Sequence, residues 1–331
     1  MCRWRKPNDL VLTISAAMQK KREMEFVRYD PRYRTLVDQL AQKTLAGEQQ
    51  LGYPRFGSCA ELEKEYGEYP DSSMDTSVYV IVGDVGPVGI VGVLKDSDYL
   101  AVWGPLTAES VWYQAAIRES LAFLRRTFAG TLHIFPAKDN AVYCRELEKA
   151  GGRLRSVQHV MRFAWPARMP APHPCGGDFR RFDAKELLRD KAICRGIERL
   201  LEESFRLNGR AGDLLRELLR DGCSFLCCCL CGRAAGVLVW NENFVREIRI
   251  EYLAVEKSFR RSGVASDLLG HFLQHVAARY GRRDINLTHA EENLVAHSLY
   301  VKNGFADEVV YREFILPCRA EGLQKCTAEA K

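Results

Sequence analysis

The chain contains an internal repeat, in which residue n of the first half corresponds to residue n + 153 of the second half. A register that holds over separate segments indicates two copies of one structural pattern in one chain. A chain of 331 residues is long enough for two domains, each with its own hydrophobic core. The repeat therefore predicts two domains of the same fold. The matched positions are Phe26, Arg28 and Asp30 with Phe179, Arg181 and Asp183, Leu100–Val102 with Leu253–Val255, Asn140 with Asn293, and Gly151 with Gly304.

A short basic turn in the second copy, Arg260–Ala265, predicts an anion-binding site. It follows an apolar, strand-like run from Ile248 to Val255 and opens a run with helical spacing. At the start of a helix the backbone N–H groups have no helical partner, and the helix dipole favours negative charge. Gly263 lets the backbone approach a ligand without an intervening side chain. The turn is therefore a predicted cradle for a phosphate or pyrophosphate.

The same turn resembles the acyl-CoA signature Gln/Arg-x-x-Gly-x-Gly/Ala of the GNAT N-acetyltransferase family. Arg260, Gly263 and Ala265 fill its fixed positions. A second element of the family, Asn-x-x-Ala-x-x-Leu-Tyr-x-x-x-Gly-Phe, is matched downstream from Asn293 to Phe305. On these two elements the chain resembles a GNAT protein. The resemblance implies an α/β fold with a mixed sheet, present as two tandem GNAT acyl-CoA N-acyltransferase folds.

The resemblance also implies acetyl-CoA as a cosubstrate and indicates where it binds. The family's strands splay apart beside the turn, and pantetheine pairs with the edge that this exposes. Asn293 matches the family's CoA-contacting asparagine, although asparagine is also a favoured helix N-cap. No metal is expected. The implied cofactor-binding residues are Leu253, Ala254, Val255, Arg260, Arg261, Ser262, Gly263, Val264, Ala265 and Asn293.

Tyr300 and Glu251 are the candidate catalytic residues. Tyr300 matches the family's general-acid tyrosine, which protonates the leaving thiolate, and a tyrosine that only packs is the alternative. Glu251 lies in the strand before the turn, where the family often has a general base. It could instead be an exposed glutamate paired with a neighbouring arginine. Glu247, His289 and a chain of water molecules stay open as other sources of the base.

The first copy lacks the features that carry this chemistry. At the repeat offset, Thr107, Ser110 and Trp112 stand where the turn has Arg260, Gly263 and Ala265, and Leu147 stands in place of Tyr300. The first copy is therefore predicted to be degenerate and non-catalytic. A degenerate copy before a competent one resembles the tandem arrangement of mycothiol synthase.

The predicted organisation has four parts. Residues 1–24 are expected to be a disordered leader rather than a signal peptide, since the apolar stretch is short and interrupted. The degenerate GNAT-like domain is predicted at 25–166, a proline-rich linker at 167–177, and the acetyl-CoA-binding catalytic domain at 178–331.

Composition excludes several classes of protein. The net charge is +5, and residues 1–24 account for most of it, so bulk charge predicts no nucleic-acid binding. No apolar run reaches the roughly 18 residues that a membrane span needs, so no membrane partner is expected. Cysteines 227, 228, 229 and 231 crowd one strand-like run and are expected to be small core residues in a reducing, cytoplasmic compartment. His271 and His275 have the spacing of a zinc helix but no evident third ligand.

The sequence thus predicts an N-acetyltransferase that moves an acetyl group from acetyl-CoA to a primary amine of a small molecule or peptide. The alternative is a non-catalytic protein that binds or senses acyl-CoA. GNAT folds commonly pair, and the fused copy could supply that pairing, so a monomer is expected. The acceptor amine has no recognisable motif.

Overall fold

A computed structural model describes residues 24–45, 56–67, 69, 71–96, 99–166, 175–243 and 247–318. The chain divides into two compact units. Unit 1 contains residues up to Ser156 together with those from Tyr311 onward, and unit 2 contains Val157–Val310. The units therefore interleave along the sequence. Residues 1–23 of the predicted leader and 167–174 of the predicted linker lie outside the described residues.

Unit 1 is a mixed β-sheet with helices packed on it. Its strands are β1 (Glu25–Arg28), β2 (Val78–Gly83), β3 (Gly86–Asp96), β4 (Tyr99–Thr107) and β5 (Thr131–Ile134). Its helices are α1 (Arg34–Leu45), α2 (Cys59–Gly67), α3 (Met74–Ser77), α4 (Ser110–Thr127) and α5 (Ala141–Lys149). The strands lie side by side in chain order, and residues 314–317 pair with β5. The described pairs are antiparallel except for β4 with β5.

Unit 2 repeats this architecture. Its strands are β7 (Asp178–Phe182), β8 (Ser224–Leu230), β9 (Arg233–Asn241), β10 (Glu247–Val255) and β11 (Asp284–Ala290), and two strands lie partly in it, β6 (Arg153–Phe163) and β12 (Phe305–Pro317). Its helices are α6 (Ala184–Arg189), α7 (Lys191–Phe205), α8 (Ala211–Arg220), α9 (Val264–Tyr280) and α10 (Leu294–Lys302). The strand order is β6-β11-β10-β9-β8-β7, and β10 with β11 is the parallel pair. The predicted α/β fold is confirmed.

Helix α7 shows how the sequence pattern produces this packing. Ile193, Ile197, Leu200 and Leu201 recur at three- and four-residue spacing and are all buried against the sheet. The Asp190 side chain accepts a hydrogen bond from the Ile193 N–H and caps the helix start. Burial of this apolar stripe holds α7 on β9 in one orientation.

Strand β4, before α4, and strand β10, before α9, are not related by the offset of 153 residues. β4 pairs with β5 through Tyr99–Val102, whereas β10 pairs with β11 through Glu247–Ile250. Tyr99–Val102 therefore corresponds structurally to Glu247–Ile250, and the predicted match of Leu100–Val102 with Leu253–Val255 is wrong by five residues. The reason is a shorter connection in unit 1. Two residues separate β4 from α4, and eight separate β10 from α9.

The offset returns after those helices. Gly151 and Gly304 each follow a helix and have φ values of 88° and 91°, a backbone conformation that glycine adopts without strain. The two units thus share a pattern of strands and helices, and they differ by six residues in the length of the connection that carries the basic turn.

The cysteine-rich strand behaves mostly as expected. Cys227 and Cys228 are fully buried in β8, but Cys231 is exposed in the turn to β9, with a φ of 50°. Cys231 is therefore not a core residue, because the strand ends before it. Within the described part of the chain, no helix is both long and apolar enough to cross a membrane.

Candidate functional site

Strands β10 and β11 separate part-way along their length. In the described residues their parallel pairing stops at Ile250 and Leu287, and β10 continues to Val255. A β-bulge at Glu251 bends β10 at the same point, between its pairs with Trp240 and Val239. The segment Leu253–Val255 keeps its antiparallel pairing with β9 while its other edge diverges from β11. The two strands therefore open a cleft whose wall is a free strand edge.

The basic turn lies at the end of this edge. After Val255 the chain makes a short 3₁₀ turn, Lys257–Phe259, and then enters Arg260–Gly263. Arg261 and Gly263 both have positive φ, 62° and 95°, so the backbone turns sharply before α9 begins at Val264. Gly263 is the N-cap and has no side chain with which to cap the helix. The first N–H groups of α9 therefore point out of the helix start without a side-chain acceptor from the cap residue.

Two side chains of the turn hold its shape. The Arg260 guanidinium donates to the Val255 carbonyl at 3.0 Å, and the Ser262 hydroxyl donates to the Phe259 carbonyl at 2.6 Å. Arg261, Ser262 and Gly263 are exposed. The turn thus presents positive charge and backbone N–H groups to solvent, which is the arrangement that binds a phosphate group.

Helix α10 packs beside the start of α9. The Asn303 side-chain amide donates to the Ser266 hydroxyl at 3.3 Å, and Tyr300 shares one apolar cluster with Val264 and Leu268. Leu253 and Val255 pack against the same cluster. The structure thus brings together the strand edge, the basic turn and Tyr300.

The sequence profile of the Acetyltransferase (GNAT) family matches residues 186–305. That range contains the open strand edge, the basic turn, Asn293 and Tyr300. Unit 2 contains a domain of the GNAT family. No curated protein matches the sequence of the chain significantly.

Solved structures extend the likeness of fold to both units. A GCN5-related N-acetyltransferase from Sphaerobacter thermophilus is 18% identical, with a TM-score of 0.65, and the match covers 89% of this chain and 96% of that one. A tandem GNAT protein from the clavulanic acid biosynthesis pathway is 15% identical, with a TM-score of 0.59 and coverage of 90% and 99%. At these identities the likeness concerns the fold alone, and the predicted tandem GNAT fold is confirmed.

Tyr300 is buried in the GNAT domain, on α10. Its ring packs at 5.8 Å from the Phe305 ring and 6.0 Å from the His289 ring, measured between centroids. Burial raises the pKa of Tyr300 to about 12, so the phenol keeps its proton at neutral pH. A protonated hydroxyl in an apolar setting is what a proton donor to a thiolate requires.

Asn293 is the N-cap of α10. Its side-chain oxygen accepts from the Ala296 N–H at 3.2 Å. The structure therefore gives Asn293 the capping role that the sequence left open. A contact of Asn293 with CoA stays a prediction.

Glu251 lies on the other face of β10 from Tyr300. Ile250, before the bulge, belongs to the Tyr300 cluster, whereas Tyr252 packs with α7 and α8. The bulge reverses the alternation of side chains at this point. Burial raises the pKa of the Glu251 carboxyl, the Arg249 guanidinium opposes that effect, and Asp221 and Glu247 add to it. The carboxyl is half-buried and its pKa is raised toward neutrality, as a general base needs.

The other two candidate bases have partners of their own. The Glu247 carboxylate pairs with Arg249 at 3.0 Å. The His289 ring hydrogen-bonds with the Ala290 carbonyl and with His297, and burial lowers the pKa of its imidazole. His289 is thus a neutral, buried imidazole beside Tyr300. Sequence reasoning singled out neither His297 nor its neighbours His159 and Asp307, which lie far apart in the chain.

Proposed function

We propose that the chain is an N-acetyltransferase that transfers the acetyl group of acetyl-CoA to a primary amine of a small molecule or peptide. The observation that carries the proposal is the free edge Leu253–Val255 running directly into the uncapped start of α9. This continuous backbone surface offers hydrogen bonds to an extended amide chain and then to a pyrophosphate. The pantetheine and pyrophosphate of CoA have that chemistry in that order.

The turn contributes binding rather than chemistry. Backbone N–H groups of Arg261–Ala265 and the positive end of the α9 dipole face the pyrophosphate, and the charge of Arg261 adds to the attraction. The amides of pantetheine then extend along Leu253–Val255 as an added strand. This places the thioester inside the cleft between β10 and β11.

Acetyl transfer then needs one base and one acid. Glu251 has a raised pKa and takes the proton of the acceptor amine. A water molecule relays this proton, because Glu251 lies on the face of β10 away from Tyr300. The neutral amine attacks the thioester carbonyl, and the tetrahedral intermediate expels the CoA sulfur. The Tyr300 phenol donates its proton to that sulfur as the carbon–sulfur bond breaks. The nitrogen then loses its second proton, and water returns this proton to the Tyr300 phenolate. The products are the N-acetylated amine and CoA.

We propose that one CoA binds per chain, to unit 2. In unit 1 only two residues join β4 to α4, and Leu147 stands in the helix position of Tyr300. Trp112 is buried in the first turn of α4. The described part of unit 1 therefore lacks both the length of backbone that forms the cradle and a tyrosine at the position of Tyr300.

A non-catalytic acyl-CoA-binding protein is the second candidate. The position of Glu251 favours it, since the candidate acid and base lie on opposite faces of β10. A protein that only senses acyl-CoA needs the turn and the strand edge but no acid–base pair.

Calorimetric titration of the full chain with CoA, followed by thiol release from acetyl-CoA against a panel of primary amines, separates these functions. We expect one CoA per chain and amine-dependent release of CoA thiol. Binding at one site with no acceptor in a broad panel supports the sensing protein. Absence of CoA binding contradicts both.

A further inference from the structure

Three histidines and an aspartate converge on one point of unit 2. His159 lies on β6, His289 on β11, His297 on α10 and Asp307 on β12. One potential ligand atom from each lies within 4.8 Å of the others. We call these four residues the histidine cluster. None of the four belongs to the open edge of β10 or to the basic turn.

The strand pairing explains why these residues meet. β6 runs antiparallel to β11, and His159 stands directly opposite His289 in that pairing. Opposed side chains of an antiparallel pair lie on the same face of the sheet, and the two imidazoles stack with centroids 5.0 Å apart. β12 lies on the other side of β6 and contributes Asp307, while α10 brings His297 over the face. Four rigid elements thus fix the four side chains.

The hydrogen bonds orient the ring of His289. Its Nδ1 lies 2.8 Å from the Ala290 carbonyl oxygen, which can only accept, so Nδ1 carries the proton. The lone pair of the neutral ring is then on Nε2, which faces Nδ1 of His297 at 3.2 Å. In metal sites, a ligating histidine usually donates one ring N–H to a carbonyl or carboxylate and binds the metal through the other nitrogen. His289 is held in this way, with Nε2 available to a metal.

His159 has the same arrangement with a carboxylate. Its Nδ1 lies 2.9 Å from Oδ1 of Asp307, and its Nε2 lies 3.8 Å from Oε1 of Glu291. If Nδ1 gives its lone pair to a cation, the ring proton moves to Nε2, and the Glu291 carboxylate has to move slightly closer to accept a hydrogen bond from it. The cluster thus offers three imidazole nitrogens and one carboxylate as donors, with the Ala290 carbonyl and the Glu291 carboxylate outside them.

We propose that His159, His289, His297 and Asp307 bind one Zn²⁺ ion. Zinc takes four ligands in a tetrahedron at about 2.0–2.2 Å, which separates neighbouring donor atoms by about 3.3 Å. The donor atoms here are 2.9 Å apart for His159 and Asp307, 3.2 Å for His289 and His297, and 3.9 Å for His297 and Asp307. Imidazoles with one carboxylate are ligands that zinc accepts in preference to Mg²⁺ or Ca²⁺.

The ion would hold α10 against the sheet. His297 and Tyr300 are three residues apart on α10, and the His289 ring also packs on the Tyr300 ring. Zinc would join His297 on the helix to His159, His289 and Asp307 on three strands. It would therefore fix the helix that presents Tyr300. This departs from the expectation of a protein without metal, which considered only histidines close in sequence.

A histidine pair elsewhere in the unit provides a matched control. His271 and His275 lie four apart on α9, but the His271 ring packs on Phe179, and Arg181 donates to Nε2 of His275. Arginine occupies the nitrogen that a metal would need. Changing both of these histidines removes two imidazoles from the chain without touching the histidine cluster.

The experiment uses the full chain without a histidine tag, stripped with a chelator and titrated with Zn²⁺ by calorimetry and elemental analysis. We expect one zinc per chain, with binding lost in His297→Ala and in the nearly isosteric Asp307→Asn, and kept in His271→Ala/His275→Ala. Glu291→Gln should weaken the affinity by roughly 10- to 100-fold, the usual effect of an outer hydrogen-bond partner. Far-UV circular dichroism checks that each variant is folded.

Cobalt(II) distinguishes this site from the cysteines. Four-coordinate Co²⁺ bound by nitrogen and oxygen absorbs in the visible without the near-ultraviolet charge-transfer band that thiolate ligands add. We expect the visible band alone, and its loss in Asp307→Asn. A thiolate band, zinc binding that persists in both cluster variants, or no zinc bound to the folded chain would overturn the proposal.

Discussion

Asn140 and Asn293 have the same structural role in the two units. Each is the N-cap of a helix, and each side-chain oxygen accepts the backbone N–H three residues on, from Tyr143 at 3.1 Å and from Ala296 at 3.2 Å. The two helices therefore start at equivalent positions. Seven residues after each cap the units differ, because unit 1 has Leu147 where unit 2 has Tyr300, the proposed proton donor.

The repeat provides a paired test of the CoA site. Gly263→Glu places bulk and negative charge at the start of α9, where φ is 95°, and should abolish CoA binding. Ser110→Glu adds a glutamate at the first residue of α4, where negative charge is favourable, and should leave CoA binding unchanged because the proposed site is in unit 2. Calorimetry gives the stoichiometry and affinity of each variant.

Because Gly263→Glu also strains the backbone, Ser262→Glu is the second variant. Ser262 is exposed, and no positive φ is imposed there. Ser262→Glu should weaken CoA binding strongly while lowering the melting temperature only slightly, because it removes one exposed hydrogen bond to the Phe259 carbonyl. Two CoA molecules per chain, or weaker binding in Ser110→Glu, would contradict the assignment of the site to unit 2.

Tyr300→Phe removes the proposed proton donor and keeps the ring that packs on Phe305. Turnover should fall by roughly 10²- to 10³-fold, the lower part of the range for general-acid catalysis, with little change in CoA affinity. Tyr280→Phe, at the end of α9, is the control and should retain full activity. Steady-state kinetics with the best amine measures both, and unchanged turnover in Tyr300→Phe would leave Tyr300 with a packing role only.

The pH dependence of turnover tests Glu251. A general base works when deprotonated, and the pKa of this carboxyl is raised by burial, so activity should fall as the pH drops through that raised pKa. Glu251→Gln should lower turnover by roughly 10²- to 10⁴-fold and remove this acidic limb. Glu247→Gln, on the same strand but paired with Arg249, should keep the limb. An acidic limb that survives in Glu251→Gln assigns it to another group.

The parts of this molecule that the sequence predicts are local. The helix caps at Asn140 and Asn293, the turn around Gly263 and the glycines at 151 and 304 follow from residue type and spacing within a few residues. A strand–turn–helix signature carries its own geometry, because the backbone N–H groups and the helix dipole belong to the same short segment.

The parts that the sequence does not predict depend on distant pairings. Nothing near His159 indicates that it lies opposite His289, since strand register is set by packing and not by a local motif. The face of β10 that carries Glu251 is decided by a bulge of one residue. The five-residue shift between β4 and β10 was hidden because a chance match, Leu-Ala-Val, kept the offset across the gap.

Glu313 should make the stability of unit 1 depend on pH. Burial alone would raise the pKa of this carboxyl, but hydrogen bonds from His133 and Ser156 and the charge of Arg155 outweigh burial and lower it. A carboxyl whose pKa is lower in the folded state stabilises the fold above its unfolded pKa, and this stabilisation is lost as the pH falls through the folded value.

Glu313→Gln should therefore lower the free energy of unfolding by about 2 kcal/mol at neutral pH, the scale of hydrogen bonds to a charged group. The difference from the unchanged protein should shrink as the pH falls below the pKa of an ordinary carboxyl. Urea unfolding at a series of pH values measures both quantities. Equal stability of the two proteins at neutral pH would contradict this account of Glu313.

The last prediction is that residues 167–331 do not form an active protein alone. That fragment lacks the part of β6 that belongs to unit 2, and residues 158–162 of β6 pair with Asn286–Ala290 of β11. Met161 is fully buried in the core that contains Tyr300, so its loss leaves a cavity there. The open edge of β11 would also be free to pair with other chains.

We expect the fragment to aggregate and to show no acetyl transfer, whereas a fragment that starts at residue 153 should be more soluble because it retains β6. Size-exclusion chromatography and the thiol-release assay compare the two. If residues 167–331 are folded, soluble and as active as the full chain, the first half of the chain is dispensable and β6 is not needed for the second unit.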